Sequence, residues 1–261
     1  MDHPHAGVHY PRSVGEFQAW FATDADCLDY LAWLRWRDGF ICPSCGHQEG
    51  WRLGDGRFKC SACSTRSSVT AGTIFDRTRT PLTVWFTACW MFATGKDGIS
   101  ALSLKRVLEI GSYQTAWAML HRLRSVLVRP GRDLLSGTVQ VDETYIGHKK
   151  GKPVLRGGWG HKNTVLALVD RDSGTSKWFH VESAKFDQIQ PIVLDNIHRE
   201  ARLMTDEARV YKPIGKRFAE HGTTLHGAGT YVDPIDRTIH TNTVEGAFSI
   251  FKRGMRGVYQ H

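Results

Sequence analysis

The sequence predicts an α/β fold preceded by a small metal-held module and a helical region, and three observations carry that prediction. Four of the six cysteines form two CxxC pairs, apolar residues recur at helical spacing on both sides of those pairs up to about residue 128, and strand-like and helix-like runs alternate from residue 138 onward. Pro130-Gly131 separates the two regimes. The expected divisions are therefore 1–80, 81–130 and 131–261.

The first elements are two short helices in SVGEFQAWFATDADCLDYLAWLRW, with Ser13 and either Thr23 or Asp24 as caps. ICPSC (Cys42, Cys45) and KCSAC (Cys60, Cys63) follow, fourteen residues apart, which is zinc-ribbon spacing. Each knuckle turns two thiolates inward, and two knuckles supply the four soft ligands of a closed tetrahedral Zn²⁺ site. Disulfides compete for the same cysteines, but paired CxxC knuckles in a chain without a secretory signal read as metal-binding. Cys27 and Cys89 lie within apolar helical patterns and are packing residues.

Proline opens the next helix, PLTVWFTACWMFAT, at a first-turn position. Residues 99–128 then predict a helix-turn-helix: one helix ends near Ile110, Gly111 makes the turn, Ser112 caps the second helix, and Ala116, Leu120, Leu123 and Leu127 form its buried stripe. The first turn of that second helix offers Gln114 and Thr115, beside Tyr113, to base edges, with Arg122 and Arg124 further along.

Beyond Pro130 three strands are expected in TVQVDETYIG (138–147), NTVLALVD (163–170) and KWFHVES (177–183). A proline-containing helix at 186–200 and a strand in ARLMTD (201–206) come next. Between the first two strands lies a glycine-rich loop with Lys149, Lys150, Lys152, Arg156 and Lys162, a composition that can follow a phosphate backbone.

The net charge of +8 is uneven: Lys+Arg against Asp+Glu is 9 to 9 over 1–80, 7 to 3 over 81–137 and 18 to 14 over 138–261. A basic excess of this size is compatible with a polyanionic partner. No run approaches the eighteen apolar residues of a membrane span, and the first thirty residues lack a signal peptide's basic start and apolar stretch. The expectation is a cytoplasmic protein with no membrane partner.

Asp142 and Asp206 each close a strand-like run, VQVD and RLMTD. A strand-ending aspartate by itself commonly caps a turn; two on neighbouring strands would project from one sheet edge, where open α/β sheets bind ligands. The segment HTNTVEGAFSIFKRGM alters the weighting. At about 100° per residue, Val244, Ala247, Phe248, Phe251 and Met255 share one helical face, while Glu245, Ser249, Lys252 and Arg256 share a stripe beside it. Glu245 and Lys252 stand about 10 Å apart along the axis, too far for an i,i+4 pair, so a metal near one and a phosphate near the other explain the stripe better. Three carboxylates suit Mg²⁺ (or Mn²⁺), and the chemistry expected of them is in-line phosphoryl transfer on a nucleic-acid backbone.

DGFICPSCGH, AGTIFDRTRTPLTVWF, KDGIS, SYQTAW, VDETYIG and HTNTVEGAFSIFKRG, in that order along nearly the whole chain, together resemble the zinc-ribbon transposases of bacterial insertion sequences, the group related to eukaryotic Merlin elements. The resemblance implies a ribonuclease H-like DDE catalytic domain that binds the inverted repeats of its own element, cuts and joins double-stranded DNA at element ends and target, and works as a homodimer or higher assembly on DNA. It makes Asp142 the first catalytic acid and Asp206 the second. The third ligand is an asparagine or a glutamate in this group, and HTNTVEG offers both Asn242 and Glu245; charge favours Glu245, and Lys252 follows at the family's spacing. Relatives continue past GVYQH with a further helical stretch, so the resemblance also implies a C-terminally truncated chain, either a fragment or an inactive copy that binds DNA without cutting it.

Overall fold

Hydroxyl and carboxylate caps fix where the first helices begin. Ser13 accepts from the Glu16 N–H at the start of α1 (Val14–Trp20), and Thr23 and Asp26 form a reciprocal capping box at the start of α2 (Asp24–Arg35). The computed structural model describes residues 5–127, 134–154, 158–225, 227 and 232–259, and the chain divides into two compact units, Met1–Arg129 and Pro130–His261.

In the first unit, β1 (Gly50–Arg52), β2 (Phe58–Cys60) and β3 (Arg66–Ser67) form an antiparallel sheet in the order β1-β2-β3. Phe40, Cys42 and Cys60 are buried together, with Trp36 and Phe58 packed against them. Helices α3 (Leu82–Thr94), α4 (Ala101–Val107) and α5 (Tyr113–Ser125) follow, and α4 and α5 make the helix-turn-helix-like pair. Phe17, Phe21, Cys27, Leu31, Trp85 and Phe86 share one core with Ala116, Met119, Leu120 and Leu123 of α5. Burial pushes the Cys27 and Cys89 thiols up to about 12, as expected of packing residues. Two guanidinium groups pin the segment after the ribbon: Arg35 donates to the carbonyls of Ser68, Val69 and Ala71, and Arg122 to those of Ile74 and Asp76.

Two details of the helix pair differ from the sequence expectation. The left-handed residue of the turn is Glu109 (φ 49°), because α4 already ends at Val107 and the chain must reverse there; Gly111 has no positive φ. Leu127 is 58% exposed, because α5 ends at Ser125 before its stripe reaches that residue.

The second unit is built on β4 (Thr138–Ile146), β5 (Asn163–Asp170), β6 (Ser176–Val181), β7 (Arg202–Asp206) and β8 (Glu220–Thr224). Their order is β6-β5-β4-β7-β8; the first three are antiparallel, whereas β7 runs parallel to both β4 and β8. Helices α6 (Phe186–Asn196) and α7 (Tyr211–Gly215) cover one face and α8 (Asn242–Gly257) the other. This is the ribonuclease H-like arrangement. Strand alternation sorts the side chains: Val139, Val141, Leu166 and Leu168 pack with Ile189, Val193, Tyr211 and Ile214, whereas Ala167 and Val169 pack with Val244 and Phe248 of α8. No helix among the described residues is long and apolar enough to cross a membrane.

Candidate metal centres and nucleic-acid interface

The four expected sulfurs meet. Each knuckle turns on a residue in the left-handed region directly after its second cysteine, Gly46 (φ 75°) in one and Ser64 (φ 58°) in the other, whose N–H groups donate to Cys42 O and Cys60 O. Sγ of Cys42 lies 3.6 Å from Sγ of Cys63, and Cys45 lies 3.7 Å from Cys60. A tetrahedral ion with Zn–S bonds near 2.3 Å places its sulfurs about 3.8 Å apart, so the donor set fits Zn²⁺ by spacing as well as by softness. Thr65, through its hydroxyl and N–H, holds the Cys63 thiol down to about 6, whereas contacts with the other three sulfurs leave Cys45 at about 12, the splitting expected of crowded thiols that share one site.

A second cluster is assembled by strand register. Gln140 of β4 pairs with Met204 of β7; two residues further along both strands are Asp142 and Asp206. Residues two positions on keep the same face, so the two carboxylates project from one face of the sheet just past the end of the β4–β7 ladder. That face is the one α8 covers, and Glu245 sits in the first turn of α8. The Asp142 carboxyl is pushed up to about 8, first by burial and then by the charges of Glu143, Asp206 and Glu245, against the Glu143 N–H that donates to Asp142 Oδ1 at 2.7 Å. Asp206 accepts from the Ala208 N–H at 3.0 Å, and Glu245 Oε1 accepts from the Thr241 hydroxyl at 2.9 Å.

Among the described residues the four cysteines form the only group of three or more whose ligand atoms all lie within 4.8 Å of one another, so the three carboxylates do not all close that far. Like charges oppose closer approach. An all-oxygen donor set whose central carboxyl retains its proton near neutrality is short of positive charge, and it fits a hard divalent cation.

The remaining expected residues are more scattered. Asn242, the first residue of α8, is exposed, unlike half-buried Glu245. Lys252 and Arg256 line a depression of about 530 Å³ with Ser249, Arg253 and Gly257. Lys149 is half-buried and donates to the Glu182 carbonyl; Lys150 and Lys152 are exposed, and Arg156 lies outside the described residues. In the first unit Gln114, Thr115 and Arg122 line a depression of about 310 Å³ with Thr78 and Thr80. There Thr115 is engaged by the Ser112 cap and one Arg122 nitrogen by main-chain carbonyls, leaving Gln114 the most available of the three.

Several site residues were not anticipated. Gln140 is fully buried beside the acidic cluster; a polar residue of the same strand parity as Asp142 inside VQVD is the signal that could have found it. Tyr211, also fully buried, donates to Glu143 on the opposite face of β4. Trp159 is 56% exposed, stacks on Tyr145 at 5.4 Å, and carries the Lys162 ammonium over its ring.

Comparison with known proteins finds two family matches: the transposase zinc-ribbon domain over residues 22–66 and the ISXO2-like transposase domain over residues 134–261. An uncharacterized protein in transposable element ISH50 of Halobacterium salinarum is 27% identical over 260 residues, covering 91% of this chain and 86% of that protein. A chain in the cryoEM structure of the simian T-cell lymphotropic virus intasome in complex with PP2A regulatory subunit B56 gamma is 14% identical, with a TM-score of 0.30. The match covers 62% of this chain and 57% of that one, a likeness too slight to bear on fold or function.

Proposed function

The chain belongs to the zinc-ribbon, ISXO2-like transposases of insertion sequences, and from that premise we propose that it binds the terminal inverted repeats of its own element and catalyses divalent-metal-dependent cleavage and transfer of DNA strands. What supports the proposal is that Asp142 and Asp206 lie on the face of the sheet that α8 covers, and that the charges of Asp206 and Glu245 add to burial in raising the Asp142 carboxyl to about 8.

In this reading Asp142, Asp206 and Glu245 hold Mg²⁺ or Mn²⁺, and Asn242 lines the entrance. A cation held there would supply acidification of an attacking water or 3′-hydroxyl and charge stabilisation for the departing 3′-oxygen. The chain's own groups do the rest. Asp142 would give up its proton when the site loads, and β4, β7 and the first turn of α8 carry the three carboxylates toward one face of the sheet. Lys252 and Arg256 take backbone phosphates, as do Lys149, Lys150 and Lys152 of the loop after β4, because ammonium and guanidinium groups are the usual partners of phosphate oxygens.

The first 130 residues supply recognition. The zinc ribbon (within 1–80) and the helix pair (within 81–130) bind the repeats, with Gln114 and Thr115 at base edges and Arg122 beside them. Residues 131–261 carry the chemistry, and pairing of two element ends requires at least a homodimer. The test is incubation of purified protein with duplexes carrying the element's terminal repeats, with and without Mg²⁺. Nicking at the repeat boundary supports the proposal; binding without Mg²⁺- or Mn²⁺-dependent nicking would reduce the protein to a DNA-binding one.

A further inference from the structure

Gln140 is a buried amide in the central strand, between Val139 and Val141, and none of its side chain reaches solvent. A primary amide in such a place is costly unless its donors and acceptor are matched. Its side-chain partners lie in one five-residue stretch, 240–244. Gln140 Nε2 donates to the His240 carbonyl at 2.8 Å and lies 3.2 Å from His240 Nδ1, while Oε1 accepts from the Val244 N–H at 2.9 Å. The amide orientation is thereby fixed, because a flipped group would set Nε2 against an N–H and Oε1 against a carbonyl.

Val244 N–H is one of the first-turn donors that a helix cannot satisfy internally. Thr241, the N-cap residue of α8, makes no side-chain cap bond; its hydroxyl goes to Glu245 Oε1. The sheet therefore caps the helix. The residue that does so is two positions from Asp142 on the same face of β4, and the N–H it holds belongs to the residue directly before Glu245. Apolar contacts of Val244 and Phe248 with Ala167 and Val169 hold α8 on the sheet, but such contacts are non-directional and do not define its position along the strand.

We propose that Gln140 is a positioning residue that sets Glu245 against Asp142, so that the acidic cluster keeps its carboxylates on one face, within reach of a shared divalent cation. The inference rests on the metal-site reading above and adds to it the group that holds that placement.

The test compares the full zinc-loaded chain with Gln140→Met, which keeps the length and removes both hydrogen-bonding functions, and with Gln140→Asn, which keeps a buried amide too short to span its partners. Two readouts are independent of catalysis: hydrogen exchange at the Val244 amide, and the Mg²⁺ concentration that half-saturates thermal stabilisation. In Gln140→Met, Val244 should lose protection and half-saturation should move to Mg²⁺ concentrations about 10-fold higher or more, the usual effect of removing a group that orients a ligand. Gln140→Asn should fall between the two. In a Glu245→Ala background the same substitution should shift half-saturation less than about twofold, because its effect runs through Glu245. Equal shifts with and without Glu245, no shift at all, or full Val244 protection in Gln140→Met would each overturn the inference. A wild-type chain whose stability ignores Mg²⁺ would sink the metal-site reading and the inference with it, and only that failure alters the wild-type titration.

Discussion

Asp142→Asn should make the metal-free protein more stable, and the margin should depend on pH in a defined way. The Asp142 carboxyl titrates at about 8 in the folded chain, because burial and the charges of Glu143, Asp206 and Glu245 disfavour its ionised form. In the unfolded chain it titrates near 3.9. At pH 7 the unfolded state has lost a proton that the folded state retains, which at about 1.4 kcal/mol per unit costs the folded state about 4 kcal/mol. Asparagine removes that cost but still has a polar amide to bury, so a net gain of about 2–3 kcal/mol is expected. For a unit of about 130 residues this corresponds to a rise in Tm of roughly 8–12 °C.

The sign follows from the direction of the shift. A carboxyl whose folded pKa is raised contributes stability that is fully present below the unfolded value, near pH 4, and lost as pH rises through about 8. Asparagine has nothing to lose over that window. The variant's advantage should therefore widen by about 1.4 kcal/mol per pH unit across pH 5.5–8 and level off above it. Urea denaturation of both proteins in EDTA at several pH values measures this directly, and Mg²⁺ should then restore the wild type while leaving the variant nearly unchanged. An advantage that is flat with pH, or a variant less stable than the wild type at pH 7, would refute the reasoning.

The zinc ligands predict about one Zn²⁺ per chain, and Cys42→Ser or Cys60→Ser should lose that zinc and expose residues 36–67 to proteolysis, as metal analysis and limited digestion would show. Ser64 and Glu109 hold left-handed backbone that favours glycine, so Ser64→Gly and Glu109→Gly should each stabilise the first unit by about 0.5–1 kcal/mol, and a loss in thermal unfolding would contradict this. Lys252→Ala and Arg256→Ala should weaken DNA binding regardless of sequence and each reduce the slope of log K against log salt by about one, whereas Gln114→Ala should relax discrimination between repeat and non-repeat DNA at nearly constant slope.

Much of this site is local in the sequence, and that part was legible. The two knuckles are set by CxxC spacing, Asp206 by the end of an apolar strand, and the start of α8 by a 3.6-residue pattern that Val244 and Phe248 obey in the fold, whereas Asp142 lies midway along β4 because pairing with β5 carries that strand on to Ile146. What was not legible depends on partners far along the chain. The parallel pairing of β4 with β7 puts Asp142 and Asp206 on one face of the same sheet, and no window of sequence contains it. Strand β8, EHGTT, carries no apolar alternation because it lies at the sheet edge and is held chiefly by main-chain bonds to β7. The turn of the helix pair falls on Glu109 although glycine stands two residues later, since helix length, set by packing of Leu104, decides where the chain must reverse. Gln140 carries no local signal beyond its polarity within VQVD, because its partners lie in a segment a hundred residues away.

Strand cleavage at the element's own terminal repeats, measured for wild type, Asp142→Ala, Asp206→Ala and Glu245→Ala with DNA affinity recorded in parallel, tests the central claim most directly. Nicking by the wild type that needs Mg²⁺ or Mn²⁺, and its loss in all three variants with affinity largely retained, is the predicted result. Undiminished cleavage in any of the three would contradict the claim that these carboxylates form one metal centre.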